Sequence, residues 1–108
     1  MNYEKTMTHL ILHGGNARGA AYEALDAAEE GNFSEAEEKL KEAEQEFIAG
    51  HKWQTELISH QDDENAVPSF VMIHAQDHLM TAQAELSLIK RLILQIKETK
   101  ALCERVAS

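Results

Sequence analysis

His74, Asp77 and His78 stand at i, i+3 and i+4 in the run Ile73-His74-Ala75-Gln76-Asp77-His78-Leu79-Met80. On a helix that spacing gathers two imidazoles and a carboxylate on one surface. A neutral imidazole, with an ordinary pKa of about 6.5, is a competent nucleophile near pH 7, and a phosphoryl group on its nitrogen is readily passed on. Such a carrier must be exposed, because its donor and its acceptor each bring a reactive side chain into line with it. His78, one turn after His74, is equally suited to hydrogen-bonding a group held there or to simple packing.

A second polar run, Ile11-Leu12-His13-Gly14-Gly15-Asn16-Ala17-Arg18, lies near the start. His13 and Asn16 could line the same site. Arg18 is suited either to neutralising a phosphoryl oxygen or to an ordinary ion pair between helices. A metallohydrolase is the competing chemistry, since His-x-x-Asp-His is the His-x-x-Glu-His zinc pattern with a shortened acid. That chemistry needs a third ligand, a base with reach to bound water, and a cleft that 108 residues scarcely provide.

The elements that must position these groups are helices. One proline, five glycines and abundant Ala, Glu, Lys and Leu indicate an all-α chain, a single domain over 1–108 with helices at about 3–30, 34–60 and 68–103. The first carries the seam Met7, Leu10, Gly14, Ala17, Ala21, Ala24 and Ala28. Gly14-Gly15 inside it costs about 1 kcal/mol per glycine against alanine, which a kink near His13 or a close helix contact would offset. Gly31-Asn32 is a stop, and Ser34 with Glu37 reads as a capping box opening the second helix.

That helix has the seam Phe33, Ala36, Leu40, Ala43, Phe47, Gly50 and Leu57. Gln61 to Val67 is an acidic loop, and Pro68 suits a first helical turn. The third helix buries Met72, Ala75, Leu79, Ala82, Leu86, Ile89, Ile93 and Ile96, completing an antiparallel three-helix bundle. Trp53 and Tyr22 fall beside their seams, as core-edge residues or marks of a partner surface, and His51 and His60 carry no special signal.

A second stripe on the third helix, Ile73, Asp77, Met80, Ala84, Leu88 and Leu92, is too apolar for water. It calls for another subunit and leaves Asp77 paired or metal-bound, or else a surface acid. Ten basic against nineteen acidic residues, net charge -9, disfavour nucleic acid and anionic membrane as partners. With no signal pattern and no spanning stretch, the expected location is the cytoplasm. Cys103, the sole cysteine, reads as an inert thiol.

The runs His13-Gly14-Gly15-Asn16 and His74-Ala75-Gln76-Asp77-His78-Leu79-Met80 resemble the lactose/cellobiose-type enzyme IIA family of the bacterial sugar phosphotransferase system, over nearly the whole chain. The resemblance implies that His74 takes a phosphoryl group from the phosphocarrier HPr and gives it to a cysteine of the cognate IIB component. It also implies a homotrimer built through the third helix, with Asp77 from each chain around a divalent cation such as Mg2+. Lactose, cellobiose and diacetylchitobiose remain equally open as the sugar.

Two other readings compete. A histidine phosphotransfer domain of a signalling relay shares the chemistry but uses four helices, with lysine and glycine soon after its histidine. A tetratricopeptide-like adaptor is suggested by Glu30 to Glu37, but no second copy appears at the repeat period.

Overall fold

A computed structural model describes residues 1–63 and 69–107. They form α1 (Tyr3–Glu29), α2 (Phe33–Ser59) and α3 (Phe70–Ala107), an all-α bundle 67 Å long and under 20 Å in its other two dimensions. α1 and α3 run parallel, with α2 antiparallel to both. Tyr3 Oη donates to Asp63 at one end, and Lys100 Nζ donates to the Glu29 carbonyl at the other.

The helix ends follow from local chemistry. Asn2 caps α1 by accepting from the Lys5 N–H at 3.1 Å. At its far end Gly31, at φ +86°, takes the left-handed conformation that glycine adopts without a Cβ penalty. The Gly31 N–H then reaches the Ala28 carbonyl and the Asn32 N–H the Ala27 carbonyl, a Schellman closure.

The expected Ser34–Glu37 box is not what opens α2. The cap is Asn32, whose side chain accepts from the Glu35 N–H at 3.2 Å and donates to the Glu35 carboxylate at 2.9 Å. The same Asn-x-x-Glu logic operates two residues earlier, because Gly31 has already turned the chain. α3 opens later than expected, at Phe70, with the Ser69 hydroxyl accepting from the Met72 N–H. It runs on to Ala107 rather than 103, since nothing after Cys103 stops it. The expectations for Pro68 and for loop residues 64–67 lie outside the described residues.

The seams pack as their spacing requires. Met72, Ala75, Leu79, Ala82, Leu86, Ile89 and Ile93 are all buried, and Leu10, Gly14, Ala17, Ala21, Ala24 and Ala28 face them from α1. In the half of the bundle around the α1–α2 turn the core is largely alanine against Leu86, Ile89 and Ile93. In the other half it is Leu10, Met72, Ala75 and Leu79, walled by Met7, Phe47, Trp53 and Leu57.

α1 is continuous through Gly14, so close contact rather than a break offsets the glycine there. A Cβ on Gly14 would stand 3.0 Å from the carbonyl carbon of His78 and 3.1 Å from the Leu79 nitrogen. From the opposite side, a Cβ on Gly50 of α2 would meet Leu79 Cδ1 at 2.7 Å and His13 Cβ at 3.0 Å. The turn of α3 at His78–Leu79 is therefore seated between two glycines. A Cβ on Gly15, by contrast, would meet nothing within 4 Å.

Candidate functional site

That seated turn carries the two histidines. Helical spacing projects both rings outward from it, and His74 Nε2 lies 3.0 Å from His78 Nε2, with the rings edge to face at 80° and centroids 4.5 Å apart. A bond between two imidazole nitrogens requires one to donate and the other to accept, so in the neutral pair only one Nε2 carries hydrogen. His74 is exposed and His78 half-buried, which makes His74 the more reachable nucleophile.

Asp77 is exposed on the second stripe of α3 and makes no hydrogen bond or ion pair with the other described residues. Its neighbours on that stripe, Ile73, Met80, Leu88 and Leu92, are 49, 46, 62 and 48 % exposed. The apolar stripe predicted to need a partner is thus bare in the single chain. Met80 is also gripped from beneath, where the buried Gln54 amide of α2 donates to its sulfur at 3.3 Å. An open groove lined by Lys5, Met7, Thr8, Ile11 and Val71 lies one turn before His74.

The polar groups of the first motif are engaged elsewhere. His13 Nδ1 and Asn16 Nδ2 both approach the Glu46 carboxylate of α2, at 2.7 and 3.4 Å. They belong to the α1–α2 face and are not brought to His74. Arg18 forms the interhelical ion pair that was one of its two expected roles, Nε to Glu85 of α3 at 2.7 Å. The hydrogen bond to Glu85, then that residue's charge, lifts the guanidinium pKa above its usual value.

Sequence reasoning missed a cluster on the same face. His9 stacks on Trp53 at 4.0 Å and 5°, with His13 beyond it at 5.6 Å and Lys5 over the indole. Its Nδ1 is buried without a hydrogen-bond partner among the described residues. The i, i+4 spacing of His9 and His13 was legible, but the pairing with Trp53 and Glu46 depends on the α1–α2 register. Trp53 is accordingly a half-buried packing residue, while Tyr22 stays exposed with Arg18 over its ring. His51 tilts against Phe47, and His60 caps the end of α2.

No described helix is long and apolar enough to cross a membrane. No group of three or more histidine, cysteine or acidic side chains gathers within the chain to hold a metal, among the described residues.

Against known proteins, the family described as "PTS system, Lactose/Cellobiose specific IIA subunit" matches residues 5–97. The lichenan-specific phosphotransferase enzyme IIA component of Bacillus subtilis is 45% identical over 80 residues, 73% of each chain. The crystal structure of the cellobiose-specific enzyme IIA of Bacillus anthracis superposes with a TM-score of 0.88 at 38% identity, covering 94% of both chains. The IIA(chitobiose) of Escherichia coli, solved in complex with HPr, gives 0.80 at 33% identity over 93% of this chain and 98% of that one.

Proposed function

Because the chain belongs to the lactose/cellobiose-specific IIA family of the sugar phosphotransferase system, we propose that His74 is its phosphoryl carrier, charged by HPr and discharged to a cysteine of the cognate IIB component. The observation that carries this reading is the exposed His74 ring on a fixed turn, with His78 Nε2 3.0 Å from its own Nε2. An incoming phosphoryl group passes from a donor imidazole nitrogen to a lone pair of His74; one P–N bond breaks as another forms. The His78 N–H, aimed at the same place, then donates to a phosphoryl oxygen.

The helix supplies position rather than acid–base power, because transfer between two imidazoles is close to symmetrical in its bonding. The E. coli relative solved with HPr supports that donor for this chain. Phosphorylation adds roughly two negative charges to a chain already at -9, which favours release of the donor afterwards. The working location is the cytoplasm. The sugar is handled by the membrane component and is not specified by this subunit.

We further propose that the bare stripe of α3 is the trimer interface and that Asp77 of each copy holds a divalent cation such as Mg2+ there. The fit is chemical: Asp77 is a carboxylate with no partner among the described residues of its own chain, set among apolar neighbours, and a hard cation takes oxygen ligands. The ion would offset repulsion among acidic copies.

Intact-mass spectrometry after incubation with phosphoenolpyruvate, enzyme I and HPr tests the carrier. One acid-labile phosphoryl group is expected on the wild-type chain and none on His74→Gln. Folded wild-type protein that stays unlabelled beside fully phosphorylated HPr would overturn the assignment.

A further inference from the structure

We propose that His74 and His78 together form a chelating clamp for a transition-metal cation of the Ni2+ or Cu2+ type, and that its occupancy blocks phosphoryl acceptance. The blocking part rests on His74 being the carrier; the clamp itself does not.

The argument begins from the bite of the pair. Two imidazole nitrogens 3.0 Å apart, each at about 2.0–2.1 Å from a common ion, subtend about 95° at it. That is close to the angle between adjacent ligands in square-planar or octahedral coordination. Imidazole is the side chain such ions favour, and Cu2+ and Ni2+ stand high in affinity for nitrogen sites. The i, i+4 spacing on one helix holds both donors ready, so the second nitrogen binds at high effective concentration.

Among the described residues nothing else competes for these atoms. Within the described residues the hydrogen bond of each Nε2 is the one they share. Binding replaces that shared hydrogen: the donor ring moves its proton from Nε2 to Nδ1, a change of tautomer without net ionisation, and both rings turn until their lone pairs meet off the N–N line. His74 is exposed, so a cation arrives freely and its remaining positions stay open to water. The excess of acidic residues raises the local concentration of any cation.

This clamp differs from the Asp77 site in ligand chemistry. Mg2+ prefers oxygen and leaves neutral imidazoles alone, so one face of α3 would sort hard from borderline cations. A nitrogen whose lone pair is given to a metal has none to offer phosphorus. The exclusion works in both directions: a phosphorylated His74 no longer offers the paired donors.

The test uses Ni2+, which avoids oxidising Cys103. Titration calorimetry on the full chain is expected to show one Ni2+ per chain in wild type, weakened roughly tenfold or more by His74→Gln or by His78→Gln as the chelate is lost. His51→Gln, on α2, should bind as wild type does. Equal affinity in the wild type and both pair variants would overturn the clamp, whatever becomes of the carrier assignment.

In the second arm, purified phospho-HPr is mixed with the chain, with and without saturating Ni2+, and its own mass is followed in the same tube. Labelling that is lost with Ni2+ and restored by a chelator supports the block. Labelling unchanged at saturating Ni2+ refutes it. A chain unlabelled even without Ni2+ would remove the carrier reading instead, leaving the calorimetry to decide the clamp.

Discussion

The two halves of the bundle are built on different rules. Around the α1–α2 turn, Ala20, Ala21, Ala24, Ala27, Ala28, Ala36 and Ala43 let helices approach closely along a uniform seam filled by Leu86, Ile89 and Ile93. Around the histidines the approach is closer still at two points and looser elsewhere. Gly14 admits the backbone of α3 and Gly50 the side chain of Leu79, while His9, Trp53, His13 and Glu46 fill the α1–α2 side with rings and charge. The first half is a spacer of set thickness; the second is a mount shaped for one turn.

Breaking that mount should cost most at its centre. Leu79→Ala removes a fully buried side chain and should lower unfolding free energy by about 2–5 kcal/mol, a cost that depends on how far the glycines let the site collapse. Urea unfolding at one fixed protein concentration reads it. Gly14→Val comes next, because the added atoms meet backbone rather than a movable side chain. A loss of about 1–3 kcal/mol is expected, together with slower labelling of His74 by phospho-HPr; unchanged stability would mean that α3 is less closely seated than its contacts imply.

Smaller effects sharpen the contrast with the alanine half. Asn32→Ala should cost about 1 kcal/mol as the cap of α2 is lost, and Ser34→Ala, which removes no cap, only a few tenths. The reverse order would restore Ser34 as the capping residue. Gly15→Ala should add about 0.5–1 kcal/mol, since its Cβ enters open space. A loss instead would show that a second chain packs on that face of α1.

Most of this architecture was legible because a 3–4 spacing of apolar residues leaves a helix one way to face its neighbours. Ile73, Met80, Leu88 and Leu92 were legible for the same reason, as a stripe without an occupant. The capping residue was not, because Asn32-x-x-Glu35 and Ser34-x-x-Glu37 satisfy the same rule and only the turn at Gly31 chooses between them. His74 and His78 could be placed together because both lie on one helix. Glu46 could not be assigned to His13, nor Trp53 to His9, since those contacts join different helices and depend on how far one slides along the other.

The glycine seat at His78–Leu79 bears on how a relay through this subunit must be organised. With α1 and α2 pressed against that turn, the backbone that carries the imidazoles cannot be moved toward one protein and then toward another. If His74 is the carrier proposed above, donor and acceptor must come to the same surface, and neither can dock while the other is there. On the carrier role proposed for His74, the two interfaces would be copies of one mould, and traffic would proceed by exchange of visitors at a stationary post.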